Sequence, residues 1–142
     1  MKIQVKKLTP TAELPTRGSE EAAGYDLHAD ETVAVMPHTC AKVSTGLSFS
    51  LPKNTFAALF PRSGLATKQG LRLANCVGVC DSDYRGPYIV AIYNDSDKVQ
   101  VINSGDRIAQ MILLPYVPME FEEVKELDET ARGAGGFGST GR

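Results

Sequence analysis

Residues 42–51 of the chain read KVSTGLSFSL, and this stretch has the clearest periodicity in the sequence. Its odd positions are apolar apart from one threonine, whereas its even positions hold lysine, glycine and serine. Alternation with a period of two is typical of a strand that buries one face and exposes the other. We therefore predict a single half-buried strand across residues 42–51.

Short strands with frequent turn residues continue on both sides of this stretch. Residues 55–60 and 108–114 are apolar runs that each end at a proline. Residues 64–70 leave room for about one turn of helix, and the spacing in 121–127 fits either a short helix or an acidic edge strand. Many short strands and no long helical stripe predict an all-β sandwich or barrel.

The composition fits one globular domain. The chain has 142 residues, of which 42% are hydrophobic and 23% charged, with a formal net charge of -2. This charge argues against a general nucleic-acid binder. No apolar run approaches the length of a membrane helix, and no secretory leader is visible, so we expect a cytoplasmic protein. We interpret the three cysteines as reduced and mostly buried thiols.

A polar cluster interrupts the strands at residues 78–86, which read GVCDSDYRG. Apolar segments on both sides make this stretch a predicted hairpin bend. Asp and Ser are common turn residues, but two carboxylates, an aromatic ring and an arginine within five positions exceed what a turn needs. Three other glycine-bearing polar clusters occur near predicted strand ends. We therefore predict that the bend belongs to a functional site.

Residues 132–142 form a separate region with five glycines in eleven residues. We expect a β domain over 1–131 and a flexible arm over 132–142. The arm contains a literal G-x-G-x-x-G, but no helix can follow it, which excludes a dinucleotide fingerprint. The two remaining interpretations are a disordered end and a segment that closes over a ligand.

Five of these clusters, in this order, resemble the motifs of the trimeric deoxyuridine triphosphatase (dUTPase) family. The matching stretches are Ala23-Gly24-Tyr25-Asp26-Leu27, Pro61-Arg62-Ser63-Gly64-Leu65, residues 78–86, Gly105-Asp106-Arg107-Ile108-Ala109-Gln110 and residues 132–141. The resemblance covers nearly the whole chain. It implies a jelly-roll-like β-barrel subunit, a homotrimer with shared active sites, and Mg²⁺-dependent hydrolysis of dUTP to dUMP and pyrophosphate.

The resemblance also implies roles for individual residues. Asp81 would activate the attacking water, since an ionised carboxylate can accept a proton. Tyr84 would pack on the deoxyribose and leave no room for a 2′-hydroxyl. Asn75 and the backbone around Gly78 would pair with the edge of uracil. Buried groups that match one base edge reject a base whose donors and acceptors are exchanged.

The phosphates and the metal ion would be held by the other motifs. The implied phosphate contacts are Arg62, Ser63, Gly64 and Gln110. Asp26 would help to hold Mg²⁺ indirectly, through water. In the arm, Arg132 would reach the γ-phosphate and Phe137 would stack over uracil, and the implied contacts continue with Gly138, Ser139 and Thr140.

Two other functions are open at this point. A dCTP deaminase of related fold would need a different acid–base residue in the central bend. A regulatory protein that binds dUTP without hydrolysing it would not need Asp81, Gln110 and a complete arm. The sequence therefore favours hydrolysis of dUTP.

Overall fold

The computed structural model describes residues 1–137, which form strands and one short helix. The strands are β1 (Gln4–Lys7), β2 (Thr16–Arg17), β3 (Tyr25–His28), β4 (Val33–Val35), β5 (Cys40–Ser44), β6 (Leu47–Ser50), β7 (Thr55–Phe60), β8 (Leu71–Leu73), β9 (Gly78–Asp81), β10 (Ile89–Asn94), β11 (Gln100–Ile102) and β12 (Arg107–Pro115). The helix is α1 (Ser63–Gln69).

The strands pair in antiparallel fashion and form four sheets. The largest has the order β2-β3-β12-β7-β9, and a second has the order β5-β10-β8. Two further pairs are β1-β6 and β11-β4. The predicted all-β class is confirmed by this architecture.

The core lies between the sheets and is built by alternation along each strand. In β10, for example, Val90 and Ile92 are buried, whereas Ile89 is exposed. The inward residues of the other strands join them in one cluster, which includes Leu27, Val43 and Leu59. Burial of this apolar surface is the main favourable term in folding.

The predicted single strand over residues 42–51 is wrong, because the stretch forms two strands in different sheets. β5 pairs with β10, whereas β6 pairs with β1. The break lies at Gly46, whose φ of +63° is in the left-handed region that favours glycine. An added Cβ there would lie 2.7 Å from the Cβ of Ala12. The predicted buried face is nevertheless correct, because all five odd positions of the stretch are buried.

Two predictions about helical content also need correction. α1 has seven residues, about two turns rather than one. It ends at Gly70, whose φ of +68° places it in the left-handed region and whose N–H donates to the carbonyl of Ala66. Residues 121–127 form neither the helix nor the edge strand that their spacing allowed, and every one of them is exposed.

The expectation of mostly buried cysteines is wrong as well. Cys40 and Cys76 are exposed, and only Cys80 is partly buried. Cys40 lies on the outer strand of its sheet, and Cys76 lies in a turn with a φ of +58°. All three thiols are free of disulfides.

The chain beyond β12 continues without a strand or helix as far as residue 137. Several large apolar side chains in it are exposed, namely Tyr116, Val117, Met119, Phe121, Val124, Leu127 and Phe137. Residues 1–137 therefore leave much of this apolar surface uncovered. Within residues 1–137, no helix is long and apolar enough to cross a bilayer.

Asn94 provides a test of how the end of β10 is fixed. It is fully buried and donates through Nδ2 to the carbonyls of Val35 (2.9 Å) and Lys98 (2.7 Å). Asn94→Ala should leave these buried acceptors unpaired and lower the free energy of unfolding by roughly 2–4 kcal/mol. Urea denaturation at one protein concentration measures the loss.

Asp97→Ala is the matched control, because Asp97 bonds His38 on the surface nearby. Its stability should stay close to that of the parent, since exposed ion pairs contribute little. Equal losses in both variants would contradict the role assigned to Asn94.

Candidate functional site

A cavity of about 270 Å³ opens where β9 and β10 separate. β9 pairs with β7 in the five-stranded sheet, whereas β10 pairs with β5 and β8 in another. The two strands that flank the bend therefore diverge instead of pairing with each other. The cavity lining includes Asn75, Gly78, Asp81 and Tyr84. The structure thus brings together four of the residues predicted from the sequence.

The ring of Tyr84 stands at the mouth of this cavity and is 43% exposed. Its hydroxyl donates to the carbonyl of Pro87 at 3.1 Å. Gly86 leaves space for the ring, because an added Cβ would overlap it. The glycine and the proline after the bend therefore direct Tyr84 toward the cavity.

Gly78 is buried at the closed end of the cavity. A Cβ at this position would lie 3.0 Å from the Cβ of Leu59, which is tighter than most Cβ contacts and would force Leu59 to shift. Glycine thus lets the backbone of β9 pack closely against β7. All four residues of β9 line the cavity.

A second cluster lies toward the opposite edge of the five-stranded sheet, around Asp26 on β3. Asp26 is 8% exposed, and its two oxygens accept from Arg62 Nε at 3.0 Å and from Arg107 Nη1 at 3.1 Å. Arg62 also donates to the carbonyl of Arg107 at 3.1 Å. One buried carboxylate therefore holds two guanidinium groups side by side, an arrangement that suits an anionic ligand.

Gln110, Ser63 and Gly64 lie near this arginine pair. Gln110 pairs with Asp26 across the β3–β12 ladder, and its Nε2 donates to the carbonyl of Pro61 at 3.1 Å. Ser63 and Gly64 follow Arg62 directly and are exposed at the start of α1. The residues predicted for phosphate contact therefore form one group in the fold.

The cavity and the arginine cluster are far apart within one chain. Asp26 lies on β3 and Asp81 on β9, with β12 and β7 between them. This order places them about 14 Å apart across the strands. Asp26 is level with Phe60 of β7, through Gln110 on β12, whereas Asp81 is level with Phe56. This offset of four residues adds about 13 Å along the strands. A single chain therefore does not bring all the predicted residues to one point.

The arm residues contact neither group as far as the structure describes them. Arg132 Nε donates to the carbonyl of Gly135 at 2.9 Å, and Phe137 is fully exposed. Gly138, Ser139 and Thr140 lie outside the described residues. The roles of these five residues stay predictions.

Sequence reasoning missed Arg107 as a member of the site. The available signal was Asp26 itself, because a carboxylate between the aromatic and apolar residues of β3 needs a cationic partner once it is buried. The number of candidate arginines made the choice of partner impossible from the sequence alone.

The described residues fit Mg²⁺ as an ion that is held mainly by phosphate. Residues 1–137 contain no group of three or more His, Cys, Asp or Glu side chains placed to hold a metal. Mg²⁺ commonly uses one or two carboxylates together with substrate phosphates and several waters. Each Asp26 oxygen accepts one arginine bond and keeps a lone pair that can accept from a metal-bound water. This fits the expectation that Asp26 contacts Mg²⁺ through water.

Two titratable groups lie together in the cavity lining. Burial raises the pKa of the Cys80 thiol, with a smaller opposite effect from the Tyr88 hydroxyl. Burial also raises the pKa of Tyr88 strongly. Both groups therefore stay protonated at neutral pH.

Comparison with known proteins identifies the class that this fold and site define. A sequence model of the dUTPase family matches residues 10–141, and the chain belongs to this family. Among its relatives, the deoxyuridine 5'-triphosphate nucleotidohydrolase of Oryza sativa subsp. japonica is 50% identical over 139 residues, covering 98% of this chain and 80% of the relative. The enzyme of the same name from Paramecium bursaria Chlorella virus 1 is 49% identical, covering 98% and 97%.

Solved structures support the same assignment. A mutant dUTPase of Staphylococcus bacteriophage 80alpha, determined with dUpNHpp, superposes with a TM-score of 0.92 at 29% identity and covers 99% of both chains. A mutant dUTPase from phage phi11 of S. aureus, described with a structural Mg(II) ion, has a TM-score of 0.81 at 27% identity. It covers 91% of this chain and 100% of its own. The jelly-roll-like fold expected from the resemblance is thus confirmed.

The thiols provide a chemical test of the cavity. We expect iodoacetamide to modify Cys40 and Cys76 before Cys80, because the thiolate is the reactive form and burial raises the Cys80 pKa. Raising the pH should speed the reaction at Cys80 as its thiolate fraction grows. Mass spectrometry of partially alkylated protein gives the order, and early modification of Cys80 would contradict the described burial.

Proposed function

We propose that the chain hydrolyses dUTP to dUMP and pyrophosphate with Asp81 as the group that activates water. The activity is that of the family to which the chain belongs. The observation that carries the assignment of the site is the cavity, which collects a carboxylate, an aromatic ring and an amide in one place. The test is a turnover assay on dUTP and dCTP that measures pyrophosphate and the base product separately.

The nucleoside occupies the cavity between β9 and β10. Asn75 and the unpaired edge of β9 near Gly78 offer hydrogen-bonding groups to the edge of uracil. A base with exchanged donors and acceptors leaves these groups unpaired, which costs free energy. Tyr84 packs against the deoxyribose, so that a 2′-hydroxyl has no room.

The phosphates are bound by the arginine cluster of another copy of the chain. Water attacks a phosphorus that must lie beside Asp81, within hydrogen-bond reach of the water. The arginine cluster of the same chain is too distant to hold that phosphoryl group, by the separation given above. A homotrimer in which each site combines the cavity of one subunit with the cluster of another satisfies both requirements.

In this arrangement, positioned donors carry most of the phosphoryl chemistry. Arg62, Arg107 and Gln110 stabilise charge on the phosphate oxygens, and Asp26 holds the two arginines in place. Bound Mg²⁺ would neutralise phosphate charge and fix the geometry of the chain of phosphates. Asp81, which is exposed at the cavity mouth, takes the proton from the attacking water.

The glycine-rich arm acts as a lid over the occupied site. Arg132 adds positive charge near the terminal phosphate, and Phe137 covers the base. The hydroxyls of Ser139 and Thr140 add phosphate contacts. Closure of such a segment excludes water and completes the set of donors around the phosphates.

Asp81→Asn tests the assignment of the base. Asn is almost isosteric and can hold a water, but it cannot accept the proton. We expect single-turnover hydrolysis to fall by about 10²–10⁴-fold. Calorimetric binding of a non-hydrolysable dUTP analogue should be retained.

Asp83→Asn is the control, because it removes a second exposed carboxylate from the same bend. Its effect should be milder. If Asp81→Asn kept turnover within a few-fold of the parent, another group would have to orient the water.

Subunit mixing tests the shared site. Asp81→Asn and Arg62→Ala should each be inactive alone. After unfolding and refolding together, mixed oligomers should regain part of the parent activity, because some sites combine an intact Asp81 from one chain with an intact Arg62 from another. Continued inactivity of well-folded mixed oligomers would contradict sites built from different subunits.

A further inference from the structure

The orientation of Tyr84 depends on the residue behind it. Besides its bond to Pro87 and the space left by Gly86, the ring of Tyr84 faces the ring of Tyr88. Their centroids are 6.1 Å apart and the planes are tilted by 30°. This separation lies in the range of favourable aromatic pairs. Tyr84 thus has the cavity on one side and a second ring on the other.

Tyr88 is itself fixed firmly in the core. It is 1% exposed, and its ring lies 4.5 Å from that of Phe49, centroid to centroid. Its N–H donates to the carbonyl of Leu47 at 2.8 Å. Its carbonyl accepts from the N–H and the hydroxyl of Thr45, at 3.1 and 2.8 Å. A column of three rings therefore connects the packed core to the site.

The hydroxyl of Tyr88 does not explain why tyrosine occupies this position. It is buried and makes no hydrogen bond of good geometry with residues 1–137, although the Cys80 thiol lies beside it. Burial raises its pKa strongly, and the adjacent Cys80 thiol adds to the increase, so the hydroxyl does not exchange protons in the neutral range. The useful part of the side chain is accordingly the ring.

We propose that Tyr88 is a positioning residue for sugar selection, which lies in the cavity wall at only 1% exposure and holds the Tyr84 ring against the deoxyribose. This inference rests on the proposed function. The interior is densely packed, so that a smaller side chain at position 88 leaves a gap into which Tyr84 can tilt. A tilted ring frees volume on the sugar face, where the 2′-hydroxyl of a ribonucleotide would fit.

Tyr88→Leu and Tyr88→Phe separate the ring from the hydroxyl. The measurement is kcat/KM for dUTP and for UTP with each full-length variant. Tyr88→Leu should reduce the dUTP/UTP ratio on the order of tenfold, since one packing contact is typically worth this much discrimination. Tyr88→Phe keeps the ring and should match the parent ratio.

Ile102→Ala controls for general destabilisation, because Ile102 is buried on β11, outside the cavity lining. It should lower the melting temperature and leave the ratio unchanged. Tyr88→Met provides a second variant without a ring, should Tyr88→Leu fold poorly, and the same loss of ratio is expected.

An unchanged ratio in the folded variants that lack the ring would overturn the inference. So would an equal loss of ratio in Ile102→Ala. If the parent itself did not hydrolyse dUTP, the proposed function would fail first, and the inference with it. The parent assay therefore distinguishes the two failures.

Discussion

The assignment of β9 and β10 to different sheets is the constraint on which the site depends. Two strands joined by a short bend ordinarily pair with each other as a β-hairpin and leave no cavity between them. Here β7 takes one edge of β9, while β5 and β8 take both edges of β10. The close approach of Gly78 to Leu59 holds β9 in its sheet. Core packing thus keeps open the cavity in which the nucleoside is proposed to bind.

The sequence predicted the class of fold and the residues of each polar cluster better than it predicted where strands break and how they are ordered in the sheets. Alternation identified the buried face of residues 42–51, because side-chain direction is set locally by the backbone. It did not reveal the break at Gly46, because that break depends on contacts with Ala12 and Asp30, which are distant in sequence. Likewise, Cys40 is exposed on an outer strand of its sheet. The order of strands in a sheet depends on contacts between distant parts of the sequence, so local patterns do not predict it.

The candidate site shows the same division between residue type and arrangement. The bend that holds Asp81 and Tyr84 was singled out by its residue types, and the family resemblance implied a role for each. The fold places both in one cavity. Arg107 was missed, although it bonds the same carboxylate as Arg62. The cluster of two guanidiniums and one carboxylate is locally positive in a chain of net charge -2. A local field of this kind attracts polyphosphate in a salt-dependent way, whatever the sign of the whole protein.

The uncovered segment after β12 has a consequence for the synthesis of the protein. Phe121 and Leu127 are 89% and 83% exposed, so residues 1–137 leave them largely uncovered. A newly synthesised chain therefore presents apolar surface that favours aggregation. The acidic side chains interspersed in residues 120–129 oppose this aggregation, because the segments of two chains repel each other.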